Sequence, residues 1–277
     1  MWNRTLVVAL VAGILQGIFE WPPIFSEGNL VLFLTAMGEN PAIAVQFVLF
    51  LHAGTAISAT VYYRDDVARI FRSIPNLRSG SAFRSGSAGH DTAELSFLAV
   101  ATVVSGVIGI ASYRTLGAMV SELAGGTFVA LVGMLLVATG ILLKTADGFE
   151  LRNRESSTLT DALLVGALQG IAILPGISRS GTTTSVLLFR SFDGVSAFRL
   201  SFLLSIPVAL GAGALSLLDA GIPAIALSST LVAVLASAVI GYLSIDGLLR
   251  VVERVTFWGV CIGLGTVAVL GGLIVAM

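Results

Sequence analysis

The 277-residue chain is 56% hydrophobic and only 11% charged, with a mean hydropathy of +0.98. Soluble domains carry about 25% charged residues, so this composition describes a polytopic membrane protein whose solvent is the bilayer. The net charge of -1 offers nothing to a nucleic acid. The lone Cys261 excludes an internal disulfide and a Cys-built metal cage, and two histidines, His52 and His90, argue against a multi-His centre.

In chain order, Arg4 followed by the apolar run Leu6 to Leu15 has the look of a signal peptide. Its continuation, Leu15-Gln16-Gly17-Ile18 through Pro22, Ile24 and Gly28, returns 153 residues later as Leu168-Gln169-Gly170-Ile171 through Pro175, Ile177 and Gly181. The segment therefore reads as mature structure. Both copies, about 5–36 and 160–190, are long enough for two short helices each, with Pro, Gly, Ser and a charge at the centre. Such backbone survives at membrane depth only where it is buried in protein or lines a wet cavity. Both read as re-entrant hairpins, the mark of a working site in inverted-repeat membrane proteins.

Six further segments meet the ~20-residue requirement for a span: about 41–63, 93–113, 123–144, 196–218, 224–245 and 255–276. The expected fold is an all-α polytopic membrane protein, a single membrane domain over 1–277. Its first inverted repeat is 1–145 and its second 158–277, each one re-entrant helical hairpin plus three transmembrane helices. An odd number of spans separates the hairpins, so they enter from opposite faces and their tips approach the midplane. Twelve of the 15 Lys and Arg residues then fall on one side (Arg64, Arg69, Arg72, Arg78, Arg84, Lys144, Arg152, Arg154, Arg190, Arg199, Arg250, Arg254), with Arg4 and Arg114 on the other and Arg179 in the second hairpin. The positive-inside rule makes the crowded side cytoplasmic and puts both termini outward, in a multi-pass cell-membrane protein.

Residues 73–90 read as a cytoplasmic linker and 145–160 as the connector between halves. Gly13/Gly17, Gly166/Gly170 and Gly259/Gly263 have GxxxG spacing, which serves either intramolecular packing or the seam of a homodimer. No GxxxxGK[ST] nucleotide loop occurs. Trp2, Tyr62, Tyr63 and Trp258 sit near span ends as interfacial anchors, and His90 reads as solvated.

Chemistry concentrates in the hairpins. An intramembrane arginine costs ~2.5–3.5 kcal/mol and needs an anion, which singles out Arg179. It stands where the second helix of its hairpin should begin, with Ser178 a natural N-cap. Ser178, Ser180, Gly181 and Thr182 complete a cradle of hydroxyls and helix-start N–H groups suited to phosphate. The blander alternative pairs Arg179 with Glu20 as a structural counter-ion. Glu20 is a candidate cation ligand or base, and Gln16, one turn earlier, points into the same cavity. Ser26 is a candidate nucleophile or equally a helix cap, Glu27 a second acid, and Asn29 a ligand or a plain hydrogen-bonding residue. His52 lies in an apolar run, either packed or part of the site.

At these residues the chain resembles the undecaprenyl-diphosphate phosphatases, also called bacitracin-resistance proteins. The stretch from Leu174 to Thr182 is similar to their PGxSRSGxT signature, Leu200 to Pro207 to FSFLLxxP, and Gln16 to Glu20 to (E/Q)xxxE. His52 to Thr55 and Tyr63 to Asp65 are similar to the HxGT and YFRxD elements. The resemblance covers essentially the whole chain. It departs in the first hairpin, where PVSSTGH gives way to Pro23-Ile24-Phe25-Ser26-Glu27-Gly28-Asn29. It departs also at Val48, in place of an acid, and at Val260-Cys261, in place of Tyr-Arg.

The resemblance implies a membrane phosphatase that takes a polyprenyl diphosphate lipid to its monophosphate and recycles the lipid carrier. Arg179, Ser178, Ser180 and Thr182 would hold the phosphates. Glu20 with Gln16 would bind a divalent cation, Mg2+ or Ca2+. Ser26 or a water would attack, and Glu20 or Glu27 would be the base. A lipid-phosphate flippase or small-anion carrier, or a non-catalytic polyprenyl-phosphate-binding paralogue, stands as the alternative. A carrier needs the anion cradle but neither nucleophile nor base.

Overall fold

A computed structural model of the protein describes residues 4–22, 26–77, 83, 90–122, 126–146, 154, 156–173, 177–221, 227–252 and 257–276. The hairpin breaks at 23–25 and 174–176, with the departure at Phe25, and Arg78, Arg84, Arg152 and Arg254 lie outside the described residues. So do most of the expected 73–90 linker and half of the 145–160 connector.

The regular elements described are all helical: α1 (Arg4–Phe19), α2 (Ser26–Ala36), α3 (Pro41–Tyr62), α4 (Arg64–Arg72), α5 (Ile74–Leu77), α6 (His90–Glu122), α7 (Gly126–Ala146), α8 (Leu159–Ile171), α9 (Arg179–Phe189), α10 (Gly194–Ala220), α11 (Leu227–Val252) and α12 (Phe257–Ala276). Five stretches are long and apolar enough to cross a membrane: Ile43–Tyr62, His90–Ser112, Val129–Ala146, Gly194–Ala214 and Leu227–Arg250. They coincide with five of the six expected spans. The sixth forms α12, whose apolar stretch, Trp258–Ile274, is shorter. The long helices carry outward stripes such as Val103, Val107 and Ile110 on α6 and Leu231, Leu235 and Val239 on α11. In water such stripes are a liability; in lipid they are the solvated surface.

The duplicated stretches fold as the helix pairs α1–α2 and α8–α9, and the two helices of each pair pack on each other. They have 16, 11, 13 and 11 residues. At ~1.5 Å per residue each falls short of the ~30 Å hydrocarbon core. The break after α1 is fixed by Trp21, fully buried, whose indole N–H donates to the Gly241 carbonyl at 2.9 Å. α8 starts at a capping box between Thr158 and Asp161.

The chain divides into two compact units, Met1–Tyr62 with Ser205–Val255, and Tyr63–Leu204 with Thr256–Met277. Each draws on both sequence halves. In the first, α1 and α3 pack on α11 and α2 packs on α3, around Ala9, Ala12, Leu30, Phe47 and Leu51. In the second, α6 packs on α8, α12 on α7, and α9 on both α7 and α8, around Phe97, Val165, Leu187 and Leu204.

The α1–α11 and α8–α6 contacts are built alike. A Cβ on Gly13 would lie 2.2 Å from the Ala233 carbonyl oxygen, and one on Gly166 would lie 2.7 Å from that of Ala101. Gly17 faces Ser237 and Ile240, while Gly170 faces Ser105 and Ile108. The glycines repeat at the offset of 153 and their partners at an offset of 132. Both GxxxG pairs are thus spent on packing within the chain, backbone against backbone. Gly263 has open space around it.

Three local features depart from the sequence reading. α6 runs on to Glu122, well past the expected end near 113. Tyr63 is buried against Phe202, with ring centroids 6.3 Å apart, and is not an interfacial anchor. Residues 64–72, just after the expected 41–63 span, form α4. Its Asp65 and Asp66 lie in the first turn and Arg69 and Arg72 in the last, matching the helix dipole. Arg199 of α10 binds Asp66 and Glu94, each at 2.7 Å, and Arg69 joins Asp66, Asp91 and Glu94. Burial raises the Asp66 pKa, but the hydrogen bonds and charges of Arg199 and Arg69 outweigh it and hold the carboxyl below its ordinary value. His90 heads α6 with its ring 3.9 Å from Glu94.

Candidate active site

The first unit gathers the acids. Gln16 and Glu20 stand one turn apart at the end of α1, on the same face as their spacing requires. Both are almost wholly buried, and the Gln16 amide N–H donates to Glu20 Oε2 at 2.8 Å. α2 opens at Ser26, whose hydroxyl donates to Glu27 Oε2 at 3.3 Å. Asn29 is half-buried one turn further on.

His52, on α3, joins the two hairpin helices. Its Nε2 lies 3.4 Å from Glu20 Oε2 and 3.3 Å from Glu27 Oε1. Its Nδ1 lies 2.9 Å from the Val48 carbonyl oxygen. A carbonyl only accepts, so Nδ1 carries a proton and Nε2 faces the carboxylates. There it either accepts a proton from a carboxylic acid or, as imidazolium, donates to a carboxylate. His52 is therefore a member of the acid cluster, not a packing residue in an apolar helix. The α3–hairpin contact is tertiary, so no local pattern around His52 marks it.

Ser26, Glu27, His52, Glu20 and Gln16 thus form a continuous polar chain. A hydroxyl on a carboxylate, with that carboxylate on an imidazole, is the arrangement that activates a nucleophile. Gln16 Oε1 is buried and has no hydrogen-bond partner among the described residues. Among those residues no three His, Cys, Asp or Glu side chains form a metal-holding group. Oxygen donors from one amide and one or two carboxylates suit a hard cation that keeps waters and takes phosphate oxygens as its other ligands.

The second unit holds the segment expected to cradle an anion. Ser178 is the N-cap of α9, as its position predicts, and accepts from the Gly181 N–H at 3.2 Å. Its Oγ lies 3.4 Å from that of Ser180. Arg179 is the first residue of α9, half-buried, at the positive end of the helix dipole. Ser178, Ser180 and Thr182 are buried around it.

The structure sorts a hydroxyl cluster that sequence could only treat as one. Thr183 bonds the Arg179 carbonyl at 2.9 Å and meets Ser201 at 2.6 Å, tying the two signature segments together. Ser185 bonds back to the Gly181 carbonyl at 2.7 Å. These two hydroxyls hold the helix in place. Gly181, expected to contact substrate, spends its N–H on the Ser178 cap.

A family model described as bacitracin resistance protein BacA matches residues 9–267. The chain is 51% identical to an undecaprenyl-diphosphatase of Haloarcula marismortui, over 98% of this chain and 99% of that one. It is 37% identical to one of Methanococcoides burtonii, over 96% and 98% of the two chains. It is 38% identical to one of Geobacter sulfurreducens, over 90% and 91%. On residues, motifs and near full-length coverage together, this chain belongs to the bacitracin resistance protein BacA family.

Proposed function

We propose that the protein is an integral membrane phosphatase that hydrolyses a polyprenyl diphosphate of the undecaprenyl type to the monophosphate and inorganic phosphate. The name shared by its relatives supports this reading. The observation that carries it is the chain from the Ser26 hydroxyl through Glu27 to His52 and Glu20, which a carrier has no use for.

In this reading Arg179, with Ser178, Ser180 and Thr182, grips the phosphates, its planar fork matching two oxygens at once. Ser26 Oγ attacks the terminal phosphorus and gives its proton to Glu27. The bond from that phosphorus to the bridging oxygen breaks, and the lipid monophosphate leaves. Water then attacks the phosphoserine, restoring the hydroxyl and releasing phosphate. His52, between Glu20 and Glu27, can pass a proton from one carboxyl to the other. The family pattern that the chain resembles has a His at the position of Asn29, so in this reading His52 is the imidazole that does this work.

Gln16 and Glu20 would hold a divalent cation, Mg2+ or Ca2+, which when bound offsets phosphate charge. We further propose that the two hairpins are re-entrant, belong to an inverted repeat and serve one substrate. The membrane is the cell membrane and both termini face outward. A homodimer formed through a GxxxG seam would use Gly259 and Gly263.

The test is phosphate release from polyprenyl diphosphate by purified protein in detergent, with and without divalent cation. Wild type should turn over, and Ser26→Ala should fall to background. Full activity in Ser26→Ala would make water the nucleophile. Should wild type release none while binding polyprenyl phosphate through Arg179, the flippase or binding-protein reading takes over.

A further inference from the structure

The second hairpin carries a buried group that the catalytic reading does not use. Gln169 stands on α8, three residues before the break that leads to α9, and is 4% exposed. Its amide Nε2 donates to Ser105 Oγ of α6 at 3.3 Å, and Ser105 in turn donates to the Thr102 carbonyl at 3.1 Å. Gln169 Oε1 has no partner among the described residues. Turning the amide over does not help, because the Ser105 proton is already committed and one amide atom would still be stranded. A buried polar atom left unpaired costs about 1–3 kcal/mol, so such an atom calls for an explanation.

The explanation has a duplicate. Gln16, at the offset of 153, has the same arrangement: Nε2 bonded to a neighbour, Oε1 buried and unpartnered. Two equivalent glutamines, each pinned by its N–H and unpartnered at its buried oxygen, look like oxygens kept for an electropositive group, a cation at Gln16 and a hydrogen-bond donor at Gln169. Gln169 shares its hairpin, and the same end of it, with Ser178, Arg179 and Ser180.

We propose that Gln169 is a phosphate-contacting residue whose carbonyl accepts the P–OH proton of hydrogen phosphate, the released product. This rests on the phosphatase reading above, in which α9 grips phosphate. Arg179 and the serine hydroxyls recognise charge and oxygen and do not tell phosphate from other tetrahedral oxyanions. A pure acceptor does: hydrogen phosphate has a proton to give it, and sulfate, with the same shape and charge, has none. Gln169 would thus add selectivity for a protonated phosphoryl group to a cradle of donors.

The test is binding of inorganic phosphate and of sulfate to the full chain in detergent, by calorimetry, in chelator without divalent cation. Wild type should prefer phosphate. Gln169→Leu should weaken phosphate about tenfold, the scale of one hydrogen bond to a charged group, leave sulfate unchanged, and keep the thermal midpoint. Ser105→Ala, which frees the amide, should weaken phosphate about threefold and serves if the leucine variant does not fold. Arg179→Ala should weaken both anions. Equal loss of both anions in Gln169→Leu, or no loss of either, overturns the assignment while an Arg179 effect leaves the phosphate cradle standing. An effect that appears only with divalent cation makes Gln169 a cation ligand and also overturns it. If wild type binds neither anion, the cradle and the Gln169 assignment fall together.

Discussion

Arg179 and His52 differ in how far sequence alone could take them. An arginine at a helix start within a membrane hairpin declares itself by its cost, and Ser178 caps that helix as its position predicts. Arg179→Lys keeps the charge but loses the fork. It should lower kcat/KM at least a hundredfold with the thermal midpoint unchanged, whereas near-normal turnover would mark Arg179 as a counter-ion. His52 is legible only in three dimensions, because its partners Glu20 and Glu27 come from other helices. Glu27→Gln and His52→Ala should each lower kcat by about 10²–10⁴, the usual worth of positioned proton transfer, with little change in KM. Asn29→His should change little, since an imidazole already stands between the acids. A large rise in rate for Asn29→His would show that His52 does not do this work.

Among elements, helix identity followed from hydrophobic length, and the two Pro/Gly-broken stretches folded as helix pairs. What sequence did not convey was which helix meets which. GxxxG spacing names a close contact but not its partner, and the glycines at 13, 17, 166 and 170 meet helices from the opposite half of the chain. Gly13→Ala drives a Cβ to 2.2 Å from the Ala233 oxygen. It should cost ~1–3 kcal/mol, seen as a lower thermal midpoint, while Gly263→Ala, in open space, should be silent. α4 is not legible in sequence, because a short charged segment becomes a helix only where its ionic partners hold it. Its hold on α10 runs through Asp66, whose folded pKa is lowered. A depressed carboxylate contributes stability that is present above the unfolded value of about 3.9 and is lost as pH falls through the folded one. The protection of α4 amides, taken relative to their intrinsic exchange rate, should therefore fall as the solution is taken below about pH 4. Asp66→Asn should show fast exchange already at pH 7.

On the scale of the whole molecule, the distribution of basic residues makes a topological prediction that needs no substrate. Cys261 is buried, so wild type should react poorly with polar thiol reagents and provide a near-silent background. A cysteine placed at Glu39 should be labelled from outside intact cells, and one placed at Arg154 only after the membrane is opened. The reverse pattern would invert the topology while leaving the helix pairs untouched.

The glycine-backed contacts also restrict where a lipid can go. A prenyl chain needs ~3.5–4 Å of clearance from the carbons on either side of it. At Gly13, Gly17, Gly166 and Gly170 there is no room for a methyl group, let alone an isoprene unit. These two seams are closed doors. The tail of a polyprenyl substrate would have to reach each hairpin by a path other than these glycine contacts, and Gly→Ala there would loosen the packing rather than admit the chain.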